Sequence, residues 1–78
     1  MPLFFFDTDD GHSPLRDEEG CELPDPQASR RVALEALTEM AGDRLPTIVH
    51  RRCTVDVRDA HGRTIYRAWV EVVGEWVR

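Results

Sequence analysis

The sequence predicts an α+β domain of order β-β-α-β-β, a four-stranded antiparallel sheet with one helix packed on one face. Three observations predict it. A capped amphipathic segment follows Asp25. Apolar and polar residues alternate on both sides of Asp59-Ala60-His61-Gly62, the pattern of a hairpin. An aromatic run, Leu3-Phe4-Phe5-Phe6, reads as an opening strand. At 78 residues the expectation is one small domain, 1–78.

Taken in order, the first strand is Leu3 to Phe6, stopped by the turn cluster Asp7-Thr8-Asp9-Asp10-Gly11. A second short strand is expected within Ser13–Leu23, after a turn at Asp17-Glu18-Glu19-Gly20; Cys21 and Leu23 would share one of its faces. In the helix, Asp25 can cap the free first-turn amides, and Pro26 suits the first helical position, where a missing N–H is harmless. Gly42 supplies the stop. Val32, Ala33, Leu34, Ala36, Leu37, Met40 and Ala41 form its apolar face; Arg31, Glu35, Thr38 and Glu39 form its polar one.

Residues 42–51 read as a connector broken by Pro46. The hairpin follows, and its turn leaves two registers open. A two- or four-residue loop pairs Val55 with Tyr66. A three-residue loop with a bulge at Gly62 pairs Val57 with Ile65 and sets Trp69 beside Cys53. The first is preferred, because it gathers Cys53, Val55, Val57, Tyr66, Ala68 and Val70 on one face.

One helix covers one sheet face. Leu3, Phe5, Ile65 and Trp69 are then expected on the far face without intrachain cover, with Trp76 near the chain end. An apolar patch of this kind is typical of an interface. A non-enzymatic protein-interaction module is therefore expected. It would associate with a second copy or an unidentified protein through Leu3, Phe5, Ile65, Trp69 and Trp76.

The composition excludes several classes. The chain is too short for a TIM barrel or a doubly wound dinucleotide fold. The longest apolar run, Leu3 to Phe6, falls far short of the roughly 20 residues of a membrane span. No basic and apolar leader opens the chain, so the default expectation is cytoplasmic. Cys21 and Cys53 are then expected as free thiols. All ten basic residues are Arg, and Lys and Asn are absent, which points to a GC-rich bacterial genome.

Charge is uneven. Residues 1–25 hold eight acids against one Arg, residues 26–50 balance, and residues 51–78 hold six Arg against four acids. Arg51, Arg52, Arg58, Arg63 and Arg67 form an alternative basic patch beside Trp69, fit for a nucleic-acid-binding regulator. Pairing of these arginines with the acids of residues 7–25 is the favoured use.

No catalytic or metal site is expected, and no cofactor. Asp7 to Glu18 has the length of a calcium loop, but Gly11 falls one place early and His12 stands at the sixth position. Asp17, Glu18, Glu19 and Glu22 would need an enclosed pocket to act as acid and base. His12, His50, His61, Cys21 and Cys53 show none of the close spacings of zinc ligands.

Several segments together carry a family resemblance: Met1-Pro2-x-Phe4-Phe5-Phe6, Gly11, Asp17-Glu18-Glu19-Gly20-x-Glu22-Leu23-Pro24-Asp25, Ala28-x-x-Arg31 and Val55-x-Val57-x-Asp59-x-x-Gly62-Arg63. The chain resembles a family of short uncharacterised proteobacterial proteins, a domain of unknown function, over nearly its whole length. It departs from the family pattern at Ser29-Arg30-Arg31. The resemblance implies a fold and a bacterial host, and transfers no activity. A weaker similarity, to antitoxins of the HicB type, rests on an acidic, glycine-containing segment before an Asp-initiated, Ala-rich helix.

Overall fold

The computed structural model describes residues 1–42 and 50–78. Its elements are β1 (Leu3–Asp9), β2 (Pro14–Leu15), β3 (Cys21–Glu22), α1 (Pro26–Gly42), β4 (His50–Arg58) and β5 (Thr64–Val73). The sheet is antiparallel and open, ordered β2-β1-β4-β5, and β3 also pairs with β1. The α+β class and the single helix are as the sequence predicts. The predicted four strands become five.

The extra strand arises because the expected second strand is split. β2 pairs with the end of β1 through Thr8 and Asp9, and β3 pairs with its start through Leu3 and Phe4. Between them the Phe6 amide donates to a side chain instead, the Asp17 carboxylate at 3.0 Å. β1 is also longer than the aromatic run, reaching Asp9. Asp7 can sit in a strand because Arg58 and the Asp17 amide satisfy its carboxylate. The turn itself is held at Asp10, whose Oδ1 accepts the amides of His12 and Ser13.

The helix begins as its N-terminal cap requires, and Gly42 is its last described residue. The Ala28 amide donates to Asp25 Oδ1 at 2.9 Å, satisfying one of the free first-turn donors. Its buried seam is Ser29, Ala33 and Leu37, with Ala36 and Met40 packed beside it. Ser29 is tolerated inside because its hydroxyl donates to the Pro26 carbonyl at 2.6 Å. Leu34, expected on the packed face, is exposed. Under the helix lie Phe4, Cys53, Val55, Val57 and Ala68, with Phe6, Tyr66 and Val70 at the margin. β4 begins at His50, earlier than the expected connector allows, and Pro46 lies outside the described residues.

The hairpin combines parts of both expected registers. Its loop is the three-residue form: the Asp59 amide donates to the Arg63 carbonyl, the Gly62 amide donates to the Asp59 carbonyl, and Gly62 has φ +83°. Arg58 then pairs with Thr64, but Val57 pairs with Tyr66 and Val55 with Ala68. The preferred Val55–Tyr66 pairing is therefore displaced by two residues. A bulge at Ile65 accounts for the outcome. Without it, the odd loop would turn Trp69 toward the core beside Cys53; with it, Tyr66, Ala68 and Val70 return to the helix side.

Gly20 and Gly62 both hold left-handed backbone, at φ +77° and +83°. A Cβ at Gly62 meets nothing, whereas one at Gly20 would lie 2.9 Å from the Phe5 ring and 3.1 Å from Leu3 Cγ. Gly62→Ala is expected to cost about 1–2 kcal/mol from backbone strain alone. Gly20→Ala adds overpacking and is expected to cost about 2–4 kcal/mol. Urea unfolding of the two variants checks the order.

Candidate functional site

Two features of the fold bear on function: a network of charges on the face away from the helix, and the outer edge of β5.

Asp17 is the hub of the network. Its Oδ2 accepts the Phe6 amide, and its Oδ1 accepts the amides of Glu19 and Gly20 at 3.1 Å. Arg58 sits over the Phe5 ring, its Cζ 4.9 Å from the centroid. It donates to both oxygens of Asp7, at 2.6 and 3.1 Å, and to the Asp17 carbonyl at 2.8 Å. Leu3 and Phe5, expected to be uncovered, are thus half-buried beneath Gly20 and Arg58.

The five arginines of the alternative patch are dispersed. Buried Arg51 donates to the Asp10 carbonyl at 2.6 Å, and its guanidinium lies 3.9 Å from the Asp10 carboxylate. Arg58 holds Asp7, Arg63 lies 3.8 Å from Asp59, and Arg67 grips Asp56 at 2.8 and 3.1 Å. Arg52 sits over the Trp69 ring at 5.3 Å. Arg51 and Arg58 therefore reach the N-terminal acids, as the charge distribution suggests, while Arg63 and Arg67 pair within the hairpin.

The acids are similarly engaged. Asp7, Asp9 and Asp56 line an open polar groove with Thr8, Leu15 and Arg16. Asp7 and Asp56 are paired to arginines, and Asp9 accepts the Gly11 amide. Among the described residues, no group of three or more His, Cys, Asp or Glu is placed to hold a metal ion. Cys21 on β3 and Cys53 on β4 are free thiols, set apart by β1.

The network carries a pH dependence. The Arg58 hydrogen bonds outweigh burial and hold the Asp7 carboxyl below its ordinary value. At Asp17 burial acts upward, but the amides of Phe6, Gly20 and Glu19 outweigh it and the net direction is down. Carboxylates depressed in the folded state stabilise it above their unfolded pKa, and that contribution is lost as pH falls through the folded values. Thermal unfolding is therefore expected to be insensitive to pH between about 5 and 7 and to weaken steadily below about pH 4. Melts at pH 7 and pH 3 check it; equal midpoints would contradict it.

The second feature lies across the sheet. β2 and β3 cover the outer edge of β1, but among the described residues no strand pairs with the outer edge of β5. Natural sheets usually shield such an edge with short strands, proline or lysine. β5 runs from Thr64 to Val73 and contains no proline or lysine. Trp69 on this strand is 55% exposed and Ile65 41%.

Between β5 and α1 lie two open pockets, together called the groove here. Near the helix start Ile65 lines it with Pro26, Ser29 and Tyr66. Near the helix end a stretch of about 380 Å³ lies among Leu34, Leu37, Thr38, Ala41, Trp69 and Val70. Ile65, expected on the far face, is set at this groove by the bulge. Trp76 stands in the tail beyond β5, 99% exposed. The five residues expected to form one patch therefore separate into Leu3 and Phe5 beneath the network, Ile65 and Trp69 along the β5 edge, and Trp76 in the tail.

Residues 3–71 match the family model of a domain of unknown function, DUF6894. The chain belongs to the DUF6894 family. The match begins with the first residue of β1 and ends within β5, so the DUF6894 domain takes in β1 to β4, α1 and most of β5, and leaves out Trp76. No curated protein and no solved structure matches the chain. No described helix is long and apolar enough to cross a membrane.

Sequence reasoning missed the structural role of Asp17, although a signal was present. Asp17-Glu18-Glu19-Gly20 and Asp59-Ala60-His61-Gly62 share an Asp-x-x-Gly pattern. In both, the Asp oxygen accepts the amide two residues on, and the Gly takes positive φ. It also missed the β5 groove, which depends on the bulge.

Proposed function

We propose that this DUF6894 chain is a non-enzymatic interaction module that associates with a second copy of itself through the outer edge of β5. The observation that carries the reading is the long edge strand, unpaired on its outer side among the described residues, bearing exposed Trp69 and Ile65 beside open pockets against the helix. An edge strand offers unpaired backbone N–H and C=O groups, and tryptophan is the side chain most often dominant in an interface. The opposite edge of the sheet is covered, so the open edge is confined to one side.

The non-enzymatic part is supported by the same geometry. Asp7, Asp17 and Asp56 each bind a guanidinium or backbone amides. Asp7 and Asp17 are also pushed toward stronger acidity, away from the range of a general acid or base at neutral pH. The use of arginine for all ten basic residues supports a bacterial setting. For the rival reading, a nucleic-acid-binding or antitoxin-like regulator, the pairing of Arg51, Arg58, Arg63 and Arg67 with aspartates is the adverse feature. Sedimentation velocity of the full chain at micromolar concentration tests the proposal. A species of twice 9.0 kDa supports it. A clean monomer refutes it, and salt-sensitive binding to a duplex or single strand would favour the rival.

A further inference from the structure

The inference rests on the self-association just proposed and concerns its register. Two β5 edges related by a two-fold axis perpendicular to the sheet run antiparallel and keep both helices on one side. Residues directly opposite each other in an antiparallel pair share a face. Trp69 and its odd-numbered neighbours must therefore oppose odd-numbered residues, which leaves few alignments.

Charge decides among them. An axis through Arg67 or through Glu71 would set like charges face to face. An axis through Ala68 would oppose Arg67 to Trp69 and Ile65 to Glu71. An axis through Val70 would oppose Trp69 to Glu71. An axis through Trp69 sets Arg67 of each copy against Glu71 of the other, opposes the two Trp69 side chains, and matches Tyr66 with Val72 and Ala68 with Val70. It also overlaps nearly the whole strand, leaving the bulged Ile65 beside Val73 at its end.

We propose that two copies of this chain pair β5 against β5 about an axis through Trp69, with Arg67 and Glu71 forming two charge pairs across the joint. Each of these side chains already has a partner on its inner side: Arg67 is paired with Asp56, and Glu71 lies within hydrogen-bond distance of His50, at 2.9 Å. Both remain about half exposed in the single chain, at 60% and 49%, and so are available to a partner. The joined sheet would run β2-β1-β4-β5 and back through the second copy, within the usual size of open sheets.

Charge reversal tests the register. Arg67→Glu sets acid against acid at both positions, and Glu71→Arg sets base against base. Each variant alone is expected to self-associate at least about tenfold more weakly than the parent. Mixed together they are expected to form a heterodimer of near-parental affinity, because both cross-joint pairs become complementary again. Sedimentation of the parent, each variant and the mixture reads this directly. A monomeric parent would refute self-association itself. A dimeric parent whose variants remain equally dimeric, or whose mixture does not recover, would overturn the register and leave self-association standing. Should Arg67→Glu fail to fold beside Asp56, Glu71→Arg decides alone: this register dissociates it, and a register that keeps position 71 away from Arg67 leaves it dimeric.

Discussion

Asp17→Ala is expected to lower the midpoint of thermal unfolding by on the order of 10–20 °C. The carboxylate accepts three backbone amides, from Phe6, Glu19 and Gly20. Hydrogen bonds to a charged group contribute about 1.5–3 kcal/mol each when they replace water, and less when partly exposed. The Phe6 donor is the sheet-bound one. Losing it opens the gap that Asp17 bridges between β2 and β3, and frees the covering segment from Leu3 and Phe5. A loss of about 2–3 kcal/mol is a large share of the roughly 4–12 kcal/mol expected of a chain this size. At 4–8 °C per kcal/mol for small domains, it gives the stated shift. The variant should also lose part of the steep acid dependence. An unchanged melt would mean that the covering segment holds without its hub.

Trp69→Arg is the second large effect, and it falls on association. In a two-fold joint centred on this residue each substitution is felt twice. A central tryptophan contributes about 2 kcal/mol or more, so the pair loses about 4 kcal/mol, or on the order of a thousandfold in affinity. Folding should change less, by about 1 kcal/mol, because the side chain lies outside the core and loses chiefly its contact with Arg52. Trp76→Ala is the contrasting substitution. The tail lies beyond β5 and outside the family span, so affinity should not move. Sedimentation and thermal melts of both variants separate the two effects.

Local chemistry made the helix legible in the sequence. Asp25 and Pro26 act within a turn of where they stand, so their effect does not depend on the rest of the fold. Alternation likewise placed Val55, Val57, Tyr66, Ala68 and Val70 on the packed face, because burial of one face fixes parity. The register was not legible. It results from an odd loop at Gly62 and a compensating bulge at Ile65, and neither residue type announces the other.

The candidate surface was legible only in its chemistry. Trp69 and Ile65 stood out as large apolar residues on a strand, but which strand ends the sheet depends on long-range pairing. β1, the aromatic strand, lies between β4 and the covering segment, whereas among the described residues β5 pairs on one side alone. The cover of Leu3 and Phe5 was not legible because it comes from an acidic loop and from an arginine placed over a ring. An acidic loop reads as solvated until the amides it binds are known.

Residue-resolved amide hydrogen exchange of the parent chain at two concentrations, one below and one above the association midpoint, tests the central claim most directly. The β5-edge account predicts that outward-facing amides of β5 around Trp69 gain protection with concentration, while the loop of Ala60, His61 and Gly62 does not. Protection independent of concentration, or a gain confined to the β2 and β3 side of the sheet, would contradict it.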